Sequence, residues 1–382
     1  MPATQIWDGD TNTSVDVGTN FQSGTAPVAG DSVQFPAGND KPVAGAPTAA
    51  LTITSVSIGA TGTITVADAK GLATGSLVAI ADIVGTVGTD VLNGNNYYVG
   101  VSGLVLTPYT DAAMTVPVAT TGKTYTSGGT ATRAVPAFVT VSFLEGFTGT
   151  VGSMTNGNPV SLPIGATTLN LAGTGQSYVH MDANGTATCN VTAAAASPGA
   201  GQFGLALTSA DTIANLNIDL VSGESVGVAA LAGQTGTFSA ISIDGGGVVT
   251  LGSGLTVTAS TGTVAIAGTG TVYIKCAVPT LTISGTPTVY QESGGVTTLV
   301  CQGGRFYNNS TGTIGTTNIF PGASVICTDG PQTRVMTTIN TYGDGGFDDS
   351  NKRTTWTTLN DYGSGENIKL GTNKKITRAA IA

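Results

Sequence analysis

Few side chains in this sequence are placed where they could perform chemistry. Carboxylates are the first candidates, because two of them at a defined separation in a groove can cleave a glycosidic bond. Between residues 165 and 330, only Asp219 and Asp244 lie about one repeat of the strand pattern apart. Both follow strand-like segments, where aspartate commonly marks a turn. We therefore expect turn corners here and predict no catalytic residue, with a glycan-cleaving pair as the alternative.

Other arrangements that support catalysis or ligand binding are incomplete. His180 is the only histidine, so no Ser-His-Asp or Cys-His combination has a second candidate base. The glycines at 245–247 are not followed by the Lys-Ser/Thr of a phosphate loop. Asp344, Asp348 and Asp349 lie in a glycine-rich loop that could bind a cation, although we expect a solvated turn. The sequence thus predicts no enzyme, no cofactor and no metal.

The four cysteines are too few for a disulfide scaffold. Cys276, Cys301 and Cys327 are almost evenly spaced, at an interval close to the repeat described below. This spacing predicts that the three stack at equivalent positions on successive turns of a solenoid. We expect buried free thiols, with disulfides as the alternative.

Composition limits the class of protein. Only 9% of the 382 residues are charged and 56 are glycine, whereas ordinary domains are about 25% charged. Such a chain suits a protein that hides its flanks against neighbours. The net charge of −9 argues against nucleic-acid binding. No apolar run approaches the ~18–20 residues of a membrane helix, and Met1–Trp7 lacks the features of a secretory signal, so we expect synthesis in a cytoplasm.

The elements that must position these residues are strands. Short runs of Val, Ile, Leu and Thr alternate with glycine-containing turns throughout, and helix signals are nearly absent. Between residues 165 and 330 triplets with an inward–outward–inward pattern recur, at Leu169–Leu171, Cys189–Val191, Leu216–Ile218, Ile241–Ile243, Val264–Ile266 and Thr288–Tyr290. A period of about 24 residues with about three strands per repeat predicts an all-β chain with a parallel β-helix over residues 134–330.

Residues 51–133 break this rhythm. They contain Gly71–Val78, Leu92–Gly94 and Thr124–Gly129, in the order Gly-Leu-x-x-Gly-x-x-Val, Leu-Asn-Gly and Thr-Tyr-Thr-Ser-Gly-Gly. This segment resembles a small β-barrel module of phage tail and capsid proteins, related to the first-catalytic-cysteine-half domain of ubiquitin-activating enzymes. The resemblance implies a β-barrel inserted into the solenoid. It contains no cysteine, so none of the eukaryotic enzyme's chemistry carries over.

The first 50 residues contain Trp7, Asn20-Phe21, Pro27 and the segment Gly30–Phe35. They resemble the opening of β-helical phage structural proteins and bacterial surface adhesins. The resemblance implies first strands that cap the solenoid, whose end would otherwise expose an unpaired edge.

Residues 331–382 differ in chemistry. From Asp329 onward the chain holds seven of the thirteen Lys and Arg residues beside six carboxylates, which gives +1 against −10 for the remainder. We predict a C-terminal extension that contacts a partner through Arg353, Trp356 and Lys375. A cap on the last coil is the alternative, and both roles are compatible. Trp7 is the competing contact residue at the other end.

Together the resemblances imply a non-enzymatic structural protein of a bacteriophage virion. Our first hypothesis is a capsid decoration (cement) protein on the capsid surface, a homotrimer that binds the major capsid protein and bridges neighbouring capsomers. The alternative is a tail fibre or spike that recognises host surface glycans, and a glycan-cleaving spike is a third hypothesis. The missing carboxylate pair argues against the third. Neither nucleic acid nor a membrane is expected as a partner.

Overall fold

The computed structural model describes most of the chain, namely residues 3–10, 18–25, 27, 30–41, 43, 51–67, 74, 76–111, 113–134, 137–149, 151, 153–155, 158–160, 162–163, 165–172, 179–182, 186–192, 205–207, 211–230, 235–258, 262–328, 334–363, 365–370 and 377–378. The chain divides into two compact units. The first comprises Met1–Ser142, Phe147–Thr167 and His180–Asp182, and the second comprises Phe143–Gly146, Thr168–Val179 and Ala183–Ala382. The prediction of an all-β protein is confirmed.

The first twelve strands are β1 Thr4–Ile6, β2 Ser32–Phe35, β3 Leu51–Ser57, β4 Thr63–Val66, β5 Ser76–Ala81, β6 Asn95–Ser102, β7 Val105–Tyr109, β8 Thr130–Ala134, β9 Ala137–Phe143, β10 Ser153–Thr155, β11 Asn158–Val160 and β12 Leu162–Pro163. Two short helices accompany them, a 3-10 turn at Gly18–Asn20 and a π-helix at Gly88–Leu92.

The remaining strands are β13 Gly165–Leu171, β14 Val179–Asp182, β15 Thr186–Val191, β16 Leu205–Leu207, β17 Asp211–Leu220, β18 Ser225–Ala230, β19 Gly236–Gly245, β20 Val248–Leu251, β21 Leu255–Val257, β22 Thr263–Ile266, β23 Thr271–Ile274, β24 Val278–Ile283, β25 Thr288–Gln291, β26 Val296–Cys301, β27 Arg305–Asn308, β28 Ile314–Ile319, β29 Ser324–Ile326, β30 Arg334–Gly343, β31 Gly346–Asp349, β32 Thr354–Gly363, β33 Ile368–Leu370 and β34 Thr377–Arg378.

The first unit contains a closed barrel in the order β3-β4-β7-β6-β5-β8. It runs from Leu51 to Ala134. The prediction of a small β-barrel is confirmed. Its strands alternate buried and exposed residues as a barrel wall requires, and the core consists of Ile53, Val56, Ile64, Val66, Val78, Ile80, Ile83, Val87, Leu92, Tyr97, Val99, Leu106, Val118 and Ala131. Asn93 fixes the turn after the π-helix, because its side chain accepts from Ile83 N–H at 3.0 Å and donates to Ile83 C=O at 2.9 Å.

The N-terminal segment of the first unit is held by aromatic packing. β1 and β2 pair in parallel, and Trp7 contacts Phe21 edge-on with ring centroids 5.3 Å apart. Trp7 also lies 5.7 Å from Phe35, which in turn lies 5.7 Å from Phe147. All four rings are buried, so this segment has a small core of its own.

The second unit is a parallel β-solenoid, which confirms the predicted β-helix. Its first sheet has the order β13-β15-β17-β19-β22-β24-β26-β28-β30-β32-β34, and its second sheet has the order β16-β18-β20-β23-β25-β27-β29-β31-β33. The short strand β21 also pairs with β19. The chain alternates between the two sheets, so one coil, meaning one turn of the solenoid, contributes one strand to each.

The predicted triplets identify the register of the first sheet. Leu169, Cys189, Leu216, Ile241 and Val264 pair in one buried column, as the recurrence of the triplets predicted. The next member is Leu281, which follows Val264 after a shorter interval, and not Thr288, which begins the predicted Thr288–Tyr290 triplet and lies in the second sheet. The predicted three strands per repeat occur where β21 and β22 precede β23, whereas the other described coils contribute one strand to each sheet. Both sheets carry the same alternating pattern, so periodicity alone could not distinguish them.

The segment after residue 330 adds coils to both sheets. β30 and β32 pair over Arg334–Gly343 and Thr354–Gly363, while β31 pairs with β33. Met336, Ile339 and Phe347 are fully buried and continue the interior. The charged residues that mark this segment are divided between the two sides, since Lys352 and Lys369 are exposed whereas Arg334, Asp349 and Asp361 are buried.

All four cysteines are free and buried, as expected. The predicted stacking of three of them is wrong. Cys301 lies in the first sheet, where it pairs with Ile283 and Ile319, whereas Cys276 and Cys327 follow strands of the second sheet. The local coils are shorter than the interval between these cysteines, so each step exceeds one coil and moves the next cysteine to the opposite side.

Candidate interaction surfaces

The outward side of the first sheet carries two columns of uncharged residues, which we call the first-sheet face. One column consists of Thr168, Thr188, Asn215, Ala240, Thr263, Thr280, Thr298, Thr316, Thr338 and Thr358. The second, two positions further along each strand, consists of Asn170, Asn190, Asn217, Ser242, Ala265, Thr282, Val300, Asn318, Asn340 and Asn360. Because parallel strands repeat every ~4.8 Å, like side chains stack in register along the solenoid.

The second column contains an asparagine ladder at each of its two ends. Asn190 donates its amide N–H to Asn170 Oδ1 at 2.9 Å, and Asn217 donates to Asn190 Oδ1 at 2.9 Å. At the other end the same bonds run from Asn340 to Asn318 at 2.8 Å and from Asn360 to Asn340 at 2.9 Å. These amides therefore satisfy one another along the column and are held in one orientation.

An aromatic stack borders the first-sheet face near its C-terminal end. The rings of Phe320 and Tyr342 lie 4.9 Å apart and those of Tyr342 and Tyr362 lie 5.0 Å apart, both nearly parallel. Tyr362 is 37% exposed. An exposed tyrosine at the edge of a flat surface is a residue type that often anchors protein interfaces.

The outward side of the second sheet has a different character. Tyr273, Tyr290 and Tyr307 stack with centroids 5.1 and 4.8 Å apart. The same column continues with Ile326, Asp348 and Lys369. There a groove of about 340 Å³, which we call the second-sheet groove, is lined by residues that include Arg305, Ser324, Asp344, Asp348, Asn367 and Lys369. This side therefore combines aromatic edges with charged and amide groups.

The predicted contact residues of the C-terminal segment occupy its turns and last coils. Arg353 is half-buried, donates its backbone N–H to Asp349 Oδ1 at 2.8 Å and accepts from Arg334 N–H at 2.7 Å. Trp356 is half-buried and lies edge-on to Phe347 with centroids 5.7 Å apart. Lys375 lies outside the described residues. Contact of these residues with a partner stays a prediction.

Trp7, the competing candidate, is 0% exposed. Its indole fills the core of the N-terminal segment between Phe21 and Phe35. The structure therefore gives this side chain a packing role, and in this conformation of the chain no surface of the indole is available to a partner. The sequence does not predict whether Trp7 faces inward or outward, because a single tryptophan beside a turn shows no alternating pattern.

The acidic candidates lie at the ends of strands, next to turns. Asp219 and Asp244 pair at the ends of neighbouring strands, both exposed, and Asp244 Oδ1 accepts from Gly245 N–H at 2.7 Å. Asp349 is fully buried, and its Oδ1 accepts from Thr354 N–H at 3.1 Å as well as from Arg353. Among the described residues, no group of three His, Cys, Asp or Glu side chains could hold a metal ion. The expectation of a solvated turn at Asp348-Asp349 is wrong, because both residues lie in strand β31 and Asp349 is fully buried.

Sequence reasoning missed the first-sheet face, although a signal for it exists. The triplet Thr-x-Asn occurs at Thr168–Asn170, Thr188–Asn190, Thr316–Asn318, Thr338–Asn340 and Thr358–Asn360. Its middle residue is inward and the flanking pair is outward. Recurrence of the outward pair at the coil spacing would have indicated the columns.

Comparison with known proteins gives no assignment, since neither known protein-family models nor curated proteins match this chain. Among the described residues, no helix has the length and apolar character needed to cross a membrane.

Proposed function

We propose that this chain is a non-enzymatic structural protein of a bacteriophage particle, a capsid decoration (cement) protein that lies on the head shell and bridges neighbouring capsomers. One observation carries the proposal: a rigid parallel solenoid presents a long first-sheet face without charge. Charged residues are depleted at the centres of protein interfaces. An uncharged face of this kind suits a protein whose sides are buried against neighbouring subunits better than a protein that acts as a free monomer.

The C-terminal coils supply the contact to the shell in this proposal. Lys352 and Lys369 are exposed there, beside the half-buried Arg353 and Trp356. The remainder of the chain is strongly acidic. The C-terminal segment from Asp329 onward carries +1 against −10 for the remainder, so it is the end that an acidic surface repels least. Orientation of this kind acts mainly on the association rate. The major capsid protein is the proposed partner, bound by a homotrimer of this chain at the virion surface.

Stabilisation of the shell would follow from mass action. A protein that binds the assembled lattice but not free subunits stabilises the assembled state by RT ln(1 + c/Kd), where c is its free concentration, so the stabilisation grows with c relative to Kd. No bond needs to form or break, so the absence of a paired catalytic set among the described residues is compatible with this role.

A second candidate is recognition of host surface glycans by a tail fibre or spike. The second-sheet groove favours it, because Arg305, Asp348 and Asn367 offer planar donors and acceptors beside the tyrosine stack. Sites for polyhydroxylated ligands need several such groups to converge. The groove is open along one sheet. This second candidate function is glycan binding without cleavage.

Two charge reversals distinguish these functions. Added to heads that lack the decoration protein, the wild-type chain is expected to bind them and raise the temperature at which they release DNA. Arg353→Glu is expected to weaken binding about ten-fold, because it reverses a charge at the proposed contact. Arg305→Glu, an exposed arginine in the second-sheet groove, is the matched control and should bind heads like wild type.

Head binding is measured by co-sedimentation, with circular dichroism to check that each variant is folded. Binding to host cells or their polysaccharide, lost in Arg305→Glu and accompanied by no binding to heads, would replace the cement proposal with the glycan one. Equal binding of heads by wild type and Arg353→Glu would remove the C-terminal contact.

A further inference from the structure

The first-sheet face has an unusually low cost of burial for a polar surface. The amides of its two asparagine ladders already donate and accept along the column, at 2.8 to 2.9 Å. Burying a polar group is expensive mainly when its hydrogen bonds are lost. The threonines are β-branched and stacked in register, so they have few rotamers to lose. Covering this face therefore keeps the hydrogen bonds of the asparagine ladders and removes little side-chain entropy, while the threonine hydroxyls need partners across the contact.

We infer that copies of this chain associate with one another through the first-sheet face. The inference deepens the proposed function and rests on it for the expectation of a homotrimer, and it names the surface that forms the trimer. Around a three-fold axis the contact is head-to-tail, so the threonine column of one solenoid lies against the asparagine column of the next, with all solenoids parallel to the shared axis. Closed cyclic symmetry of this kind gives every copy the same two contacts.

Charge favours a second copy as the occupant of this face. Each chain carries a net charge of −9, so two copies repel wherever their acidic surfaces meet. The two columns of the first-sheet face contain no charged residue, although the exposed Asp219 and Asp244 border the face beside Asn217 and Ser242. A contact that stays within the two columns avoids this acidic pair. The second sheet, by contrast, exposes Arg305, Asp348 and Lys369 along its outer side.

Periodicity gives an independent argument for the same occupant. Side chains on the first-sheet face repeat once per strand, about every 4.8 Å. A second copy has the same repeat, so ridges of one solenoid fit between ridges of the other over the whole length. A partner without this repeat would match only locally.

The face is long enough for a specific contact. Ten strands from β13 to β32 are connected by nine spacings, which at the spacing of parallel strands corresponds to ~43 Å. With a width of ~15 Å for two columns and their flanks, the trimer buries roughly 650 Å² of each copy, compared with ~800 Å² per partner in a standard-size interface. Tyr362, which borders the face and is 37% exposed, can extend it.

A pair of threonine substitutions tests the inference on the isolated protein, without heads, so that its failure is distinguishable from failure of the proposed function. Thr316→Lys places a charge in the centre of the first-sheet face. Thr288→Lys places the same charge on the second sheet, at a residue that is also half-buried. An unpaired charge buried at an interface weakens association strongly, so we expect Thr316→Lys to raise the dissociation constant by about 100-fold or more and Thr288→Lys to leave it unchanged.

Multi-angle light scattering and sedimentation equilibrium give the oligomeric state, and circular dichroism and melting confirm folding. A wild-type chain that stays monomeric at micromolar concentration would overturn the inference, as would a Thr316→Lys variant that associates like wild type. Hydroxyl-radical footprinting of the wild type covers the case in which Thr316→Lys does not fold. On association Tyr362 should become protected while Tyr273 on the second sheet should not, and the opposite pattern would assign the interface to the other side.

Discussion

Raising the pH above about 9 is expected to destabilise this protein steeply, because four thiols are buried in the solenoid. Burial raises the pKa of Cys189 and Cys276 to about 12 and that of Cys327 to about 11, and it also raises the pKa of Cys301. In the unfolded chain each thiol ionises near its ordinary value of 9.0. Between these limits the unfolded chain binds fewer protons than the native one, so the free energy of unfolding falls as pH rises.

The expected magnitude is large. Each thiol that stays protonated only in the native state contributes a loss of ~1.4 kcal/mol per pH unit. Four thiols together would remove roughly 5 to 6 kcal/mol per unit above the unfolded pKa, until the native thiols themselves ionise. Typical domains are stable by only about 5–15 kcal/mol. The solenoid should therefore unfold within about one to two pH units above the pKa of the unfolded thiols.

Denaturant unfolding followed by circular dichroism at a series of pH values measures this slope. A variant with all four cysteines replaced by alanine is the control, since it loses the thiol contribution but keeps the tyrosines and lysines that also titrate in alkali. The control is expected to show a much shallower dependence on pH above 9. Identical slopes for the two proteins would show that the thiols are not buried in the native state.

Phe306→Ala is expected to destabilise the solenoid by about 4 kcal/mol, while Tyr307→Ala should cost about 1 kcal/mol. Phe306 is 0% exposed and lies in the inward column of the second sheet between Val289 and Val325. Its removal leaves a cavity that the neighbouring strands, held in register on both sides, cannot collapse to fill. Tyr307 points outward and loses only its stacking on Tyr290 at 4.8 Å.

The two variants are adjacent in sequence, which makes them a matched pair. Equilibrium unfolding in urea gives both free energies under the same conditions. Equal costs, or a larger cost for Tyr307→Ala, would mean that the inward and outward assignment of this strand is inverted. A coil contacts only its neighbours, so parts of a solenoid can unfold separately. A urea unfolding curve of Phe306→Ala with two transitions would therefore also agree with a solenoid.

Two sequence patterns, residue alternation and the recurrence of triplets, predicted part of this fold. Alternation of apolar and polar residues predicted the strands, and the recurrence of Leu169, Cys189 and Leu216 predicted their parallel register. Alternation does not say which sheet a strand joins, so it predicts the wrong sheet for the triplet Thr288–Tyr290. The cysteine spacing failed for the same reason, since the coils differ in length along the solenoid and have no single period.

The candidate surfaces were less accessible to sequence reasoning. Trp7 was chosen for its residue type, but its burial depends on Phe21 and Phe35 arriving from other parts of the chain. The asparagine ladders depend on register between strands that are distant in sequence. Each ladder residue is ordinary by itself, and only the stacking of coils makes the column a surface.

The position of this chain in purified virions tests the central claim most directly. Virions from cells that produce the chain are labelled with gold-conjugated antibody raised against the folded protein and imaged by electron microscopy. The account predicts gold particles distributed over the whole head surface, and heads from a strain lacking the chain should carry none. Gold confined to the tail tip, or virions that carry no label at all, would contradict it.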